Sequence, residues 1–431
     1  NSLKANVLMV SLPKHLFSFE VEGTNTAGDL GAAASMSFTD RNLFRGSEQL
    51  TVKLRGAYES ISNLPGYSGD TYIEYGLETN LDFPEFLAPF MSQELQRRSQ
   101  ATSRFSLKIN AQRRPEFQKT IFSTGWSYMW GDAWQKSHQL DVVDLNYLVV
   151  PWISDHFRSE YLNQITSARS ILKYNYEDLL ITKLGYTFYY SSSRINAVDP
   201  FRFSVRVGVE TSGNMLSLLS EPLGFEKNDN NQYKVFGVAF AQYAKHDFSF
   251  TANWRLDRTN NLVAHLEWGV AVPYGNSTSL PFEKRYFSGG ANSVRGWSVR
   301  ELGPGTYHGD DKVIDYIKQS GDIKLGASVE YRSKLFWKVN GAAFVDAGNI
   351  WTIRDYVEQP GGVFGFDTFY KQIAVSYGLG LRFDFGVLVL RLDGGMKAYN
   401  PSGTTLYKRL PLVHPSMNRD FAFHLAVGYP F

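Results

Sequence analysis

Apolar and polar residues alternate with a period of two along much of this chain, most plainly at its C-terminus. The odd positions there are Phe421, Phe423, Leu425, Val427, Tyr429 and Phe431; the even ones are Ala422, His424, Ala426, Gly428 and Pro430. Successive strand side chains point to opposite faces, so such a segment has one apolar face and one small or polar face. At 387–397, Leu388, Leu390 and Leu392 oppose Arg391 and Asp393. At 373–384, Ile373, Val375, Tyr377, Leu379, Leu381 and Phe383 oppose Ala374, Ser376, Gly378, Gly380, Arg382 and Asp384.

Strands of a soluble β-sandwich alternate too, so the period alone does not decide the architecture. Three features favour a transmembrane barrel. The segments run roughly 10–13 residues, against a globular mode of about 5–6. The face opposite the apolar one is polar and glycine-rich, as a wet lumen requires. Aromatic residues gather near segment ends, where interfacial girdles lie. Counting alternating segments predicts about sixteen strands, and an even number suits a closed antiparallel sheet. Their starts fall near Phe17, Leu30, Glu48, Thr71, Arg104, Phe117, Ser137, Leu179, Phe201, Gln242, Asn261, Gly321, Phe336, Gln372, Val387 and Asp420. Short links at 257–260, 333–335 and 384–386 are expected on the periplasmic side. Longer ones at 151–178, 211–241, 273–320, 348–371 and 398–419 belong on the other side. A segment at 83–103, with a helix expected at 86–99, breaks that alternation. Its Arg97 and Arg98 are candidate contacts to anionic headgroups or periplasmic partners, against the alternative of ordinary solvation.

Composition sharpens this picture. The 431 residues include 9 Trp, 25 Tyr, 31 Phe and 37 Gly, with 44 basic against 42 acidic side chains. That balance gives no electrostatic case for nucleic acid. No apolar run reaches the 18 or so residues of a transmembrane helix, which leaves strands as the only way across a bilayer. Cysteine is absent, excluding disulfides and thiolate sites. The eight histidines form neither a triad spacing nor a metal-ligand motif, so the chain reads as a non-enzyme without cofactor or metal. His265 and His424 read as polar filler of the lumen. Asp310 and Asp311 could bind calcium, though acidic loop tips are usually just solvated. Residues 1–14 read as the tail of an upstream periplasmic region and 15–431 as one barrel.

The segment 281–305 differs from the other links. It is apolar and aromatic, and Gly289, Gly290, Gly296, Gly303 and Gly305 permit tight turns, so it should fold inward and pack. Within it, Arg295 would need an acceptor, because an unpaired guanidinium in a partly dehydrated lumen is costly. Parity directs Glu330 and Asp346 into the lumen from the next two strands. The bland alternative makes both ordinary lumen charges like Lys324, Lys338 or Arg382.

The run Tyr-Phe-Ser-Gly-Gly-Ala-Asn-Ser-Val-Arg-Gly-Trp at 286–297, followed by Leu302-Gly-Pro304, resembles the signature loop of the BamA/TamA family of outer-membrane assembly barrels. The resemblance implies a sixth extracellular loop bent into the lumen, with Val294, Arg295, Gly296 and Trp297 at its tip. Glu330 and Asp346 match the carboxylates that meet the family's arginine. Gly23–Gly31 is similar to the family's first hairpin, residues 41–46 to the following turn, and Gly428 to the glycine that kinks the last strand. Terminal Phe431 is similar to the aromatic by which such barrels are recognised for insertion. Two departures stand out: the family's POTRA domains are absent from this chain, and the tip residue Trp297 is more often Phe or Tyr. The 41–46 and 273–305 segments look closer to the TamA-like lipoprotein (TamL) branch.

Function follows from the seam. The first strand, read as 17–23, is short, with Phe17, Phe19 and Val21 as its apolar face, and must close against the stronger strand at 421–431. Few ladder bonds make opening there cheap, and an exposed edge can template an incoming strand. The resemblance implies lateral opening at this seam to insert or translocate client outer-membrane proteins. The bilayer and a periplasmic or inner-membrane partner of the upstream domains are the other implied partners. The rival reading is a passive pore or transporter, with an open lumen and a loop that constricts without plugging.

Overall fold

The computed structural model of the protein describes residues 13–26, 29–60, 71–88, 94, 101–131, 135–163, 165, 170–193, 199–309, 315–386 and 388–431. Strands dominate: β1 (His15–Thr26), β2 (Asp29–Asp40), β3 (Gln49–Ser60), β4 (Thr71–Phe83), β5 (Thr102–Arg113), β6 (Phe117–Gly131), β7 (Lys136–Ile153), β8 (Leu179–Ser191) and β9 (Phe201–Ser212). After them come β10 (Lys234–Val235), β11 (Val238–Ala241), β12 (Tyr243–Arg255), β13 (Asn260–Pro273), β14 (Ile323–Phe336), β15 (Val339–Trp351), β16 (Ala374–Asp384), β17 (Val389–Tyr399) and β18 (Phe421–Val427).

All belong to one sheet of eighteen strands, not the expected sixteen. The difference includes β10 and β11, of two and four residues, too short to leave a periodic signal. Antiparallel ladders join neighbours in sequence from β1 to β9, then β9 to β12 and on to β18. β11 instead lies parallel to the start of β8, filling the sheet above the end of β9. Among the described residues no ladder joins β18 to β1.

Residues 274–309 and 315–322 touch strands far apart in this wall. That one loop pairs Lys119 of β6 with Glu283 and sets Lys284 3.0 Å from Glu210 of β9. It also reaches Asp346 of β15 and His424 of β18, so strands far apart in the sheet face a common interior. Side-chain parity agrees: Val345 is 52% exposed and Asp346 not at all. Above the wall the long links pack on each other. Phe117, Phe157, Ile171, Leu172, Tyr176, Ile317 and Tyr356 form one buried cluster there. Arg354 ties 352–373 to the root of the long loop, donating to the carbonyls of Pro273 (2.8 Å) and Thr278 (2.5 Å).

Three expectations change. The first strand is twelve residues long, not short: 15–26 pairs residue for residue with 29–40, and backbone bonds to β2 compensate the weak strand formers at Gly23 and Asn25. The last strand is the short one, ending at Val427 because Gly428 adopts φ 84°, a left-handed conformation that leaves the extended run. The turn between β14 and β15 falls at Trp337 and Lys338, not at 333–335. The 1–14 tail, the 86–99 helix with Arg97 and Arg98, and Asp310–Asp311 lie largely outside the described residues.

Candidate functional site

The structure brings Arg295, Glu330 and Asp346 together. Arg295 Nη1 donates to Glu330 Oε2 at 2.5 Å, while Nε and Nη2 grip the two oxygens of Asp346 at 2.9 and 2.8 Å. Its backbone N–H adds a bond to Asp346 Oδ2 at 3.1 Å, so side chain and main chain share one anchor. The guanidinium also lies over the Phe344 ring, 3.4 Å from its centroid. All three charged residues are fully buried. A charge with that burial holds only when paired and hydrogen-bonded in good geometry, and a bidentate carboxylate supplies both.

Residues around the arginine explain how the tip seats. Val294 and Trp297 are buried and cluster with Leu302 and with Ala374 at the start of β16. Trp297 closes a turn by donating its N–H to Val294 O, and the Lys397 ammonium sits 5.2 Å from its ring. Gly296 runs against Ser376 and the backbone of Lys397, and a Cβ on Gly395 of β17 would overlap Arg295 O. Glycine at both positions lets two backbones meet. Burial pushes the Glu301 carboxyl up, yet Lys397 and the Ser298 N–H hold it below the ordinary value.

Beyond the expected trio lies a larger network. Arg382 of β16 donates to Glu330 at 3.2 Å and to Asp393 at 2.5 Å. Arg391 of β17 stands directly across the ladder from Arg382, and donates to Asn292 of the loop. Like charges directly opposite are destabilising; Asp393, 2.5 Å from Arg382 and 3.4 Å from Arg391, offsets that repulsion, and Glu330 adds a second carboxylate beside Arg382. Alternation places these side chains inward, but it does not say which lie level with the loop tip. That cross-strand arginine pair was the available signal.

His424 is more than filler. On β18, its Nε2 lies 2.9 Å from the Arg295 carbonyl, linking the tip to the last strand. His265 likewise has specific partners, Thr251 at 2.9 Å and the stacked ring of Phe431. That stacking turns Phe431 away from the outward face it would share with Phe423. Past Gly428 the chain bends inward, with Arg332 over the Tyr429 and Phe431 rings. Phe17, Phe19 and Val21 are about as expected for a lipid face, at 68%, 70% and 70% exposure. Among the described residues no group of three or more His, Asp or Glu could hold a metal ion.

Comparison with known proteins decides the family: residues 18–431 match the Omp85 superfamily domain. The chain belongs to the Omp85 superfamily. Over 124 residues, 27% of this chain, it is 31% identical to the outer membrane protein assembly factor BamA of Neisseria meningitidis serogroup B, a match spanning 15% of that protein. The crystal structure of BamA from Haemophilus ducreyi lacking POTRA domains 1-3 aligns with 96% of this chain and 70% of its own. At TM-score 0.58 and 13% identity, that likeness is one of fold. This Omp85 chain is therefore an outer-membrane β-barrel of bacteria.

Proposed function

We propose that this Omp85 barrel inserts or translocates client outer-membrane proteins by parting between β1 and β18. The observation that carries the reading is the seam: β18 has seven residues, β1 has twelve, and no described ladder joins them. Unpaired strand edges are templates for strand addition, and a short partner can cover only part of a long edge. The packed links above the lumen favour a sideways path over an axial one, which also weighs against a passive pore. Val294 to Trp297 form the docked end of an internal strut, with Glu330 and Asp346 as its anchors and His424 as its tie to the moving strand. Phe17, Phe19, Val21, Gly428 and Phe431 shape the gate. Docking to a periplasmic or inner-membrane partner through upstream domains belongs to the same reading. The elaborated 41–46 and 273–305 segments favour the TamL branch within it.

A charge swap tests the strut. Arg295→Glu sets a fourth carboxylate beside Glu330, Asp346 and Asp393, so the single variant should lose barrel folding or client insertion. Asp346→Arg should fail as well, and the double variant should recover both. Silence of Arg295→Glu in both readouts would return the loop to decoration and favour the pore.

A further inference from the structure

A short helix, Asn214–Ser220, follows β9 with only Gly213 between. Its Met215, Leu218 and Leu219 are 76%, 77% and 40% exposed. At positions i, i+3 and i+4 they form one stripe facing away from the rest of the protein. A stripe of this kind on a water-facing loop is unfavourable, and its position says what offsets it.

Asn214 fixes the helix to the outer face of the wall. It donates to Thr211 Oγ1 at 2.8 Å and accepts from Gln242 (3.1 Å) and Tyr274 (2.8 Å). Thr211 shares the parity of outward Val209 on β9, and Tyr274 that of outward Val272 on β13. Gln242 shares the parity of Phe248, whose ring stacks on outward Trp268. Thr211 near the end of β9, Gln242 just before β12 and Tyr274 just after β13 thus hold Asn214 at the outer rim of the wall.

Height follows from the ladder. Trp254 packs against Phe201, ring centroids 5.0 Å apart, near the periplasmic end of the wall, and Ala244 pairs with Thr211 near the other end. From Trp254 to Ala244, β12 climbs about 25 Å at roughly 3.3 Å per residue and about 40° tilt, the height of a barrel's apolar band. The helix therefore begins at the upper edge of that band, against the outer leaflet. Its neighbours Glu221, Glu226, Lys227 and Asp229 are exposed, giving the loop a polar side for water.

We propose that Asn214–Ser220 is an interfacial anchor, with Met215, Leu218 and Leu219 inserted among acyl chains of the outer leaflet. The anchor sits on the wall halfway round from β1 and β18, steadying that wall. The placement rests on the outer-membrane location, not on the reading of the seam.

The chain has no cysteine, so a single introduced thiol carries a probe to one place. Leu218→Cys, labelled with an environment-sensitive fluorophore, is reconstituted as the full chain in bilayer nanodiscs. Val345→Cys on the lipid face and Asp229→Cys in the polar part of the loop are the references. Nitroxide-labelled lipid should quench the Leu218→Cys probe as it quenches Val345→Cys, while aqueous iodide spares both and quenches Asp229→Cys. Quenching of Leu218→Cys by iodide to the level of Asp229→Cys would overturn the proposal. Protection from both quenchers would also overturn it, by showing protein over the stripe.

Discussion

Glu330→Ala probes the strut where it is most heavily charged. The carboxylate serves Arg295 at 2.5 Å, Arg332 at 2.7 Å and Arg382 at 3.2 Å. Without it, Arg295, Arg382 and Arg391 share only Asp346 and Asp393, and Arg332 loses its carboxylate partner. Breaking a buried pair by deleting one partner costs about 3–5 kcal/mol, because the remaining charge stays buried. If that cost is relieved by undocking the tip, the docking equilibrium shifts roughly 10²- to 4 × 10³-fold. The Arg295 amide, bonded to Asp346, reports undocking directly. Hydrogen exchange of the 294–297 peptide should accelerate by about that factor, wherever tip opening limits exchange. Glu78→Ala is the matched control: its 2.9 Å pair with Lys108 has side chains 38% and 48% exposed, and such pairs contribute about 0–1 kcal/mol. Equal exchange in the two variants would refute the claim that buried charge holds the tip.

Three further changes address the seating and the seam. His424→Ala leaves the buried Arg295 carbonyl without its β18 partner, at about 1–3 kcal/mol; exchange in β18 should rise while the 294–297 peptide stays protected by Asp346. Gly395→Ala puts a methyl into Arg295 O, so the barrel should still form, but with the tip unseated and rapidly exchanging. Gly428→Val meets no steric neighbour, yet carries a β-branched residue at φ 84°, costing about 1–2 kcal/mol. Its denaturation midpoint should fall, and a fluorophore at Phe431→Cys should move from the lumen toward solvent or lipid.

Much of the architecture was legible because strand alternation is a strong local signal. Most observed strand starts, including Thr71, Phe117, Leu179 and Phe201, coincide with or lie close to the predicted ones. Parity likewise placed Glu330 and Asp346 inward, since one residue of slip would put a carboxylate in lipid. What alternation does not encode is depth along the barrel axis. His424 and Arg391 looked like any lumen residue until the ladder β16–β17–β18 set them level with the loop tip. Strand ends were misread for a related reason. Tyr429 and Phe431 continue the period of Phe421, but the backbone at Gly428 turns, and period says nothing about φ. At β1 the error ran the other way: Gly23 and Asn25 are poor strand formers held extended by their pairing with Ala32 and Leu30.

Opening between β1 and β18 is tested most directly by locking it. A cysteine at Val21 of β1, combined in turn with one at Phe423 or Leu425 of β18, is oxidised in cells and client barrel insertion followed. The account predicts that the cross-linked protein remains folded in the outer membrane, stops inserting clients, and resumes when the disulfide is reduced. Undiminished insertion by the fully cross-linked protein would contradict it.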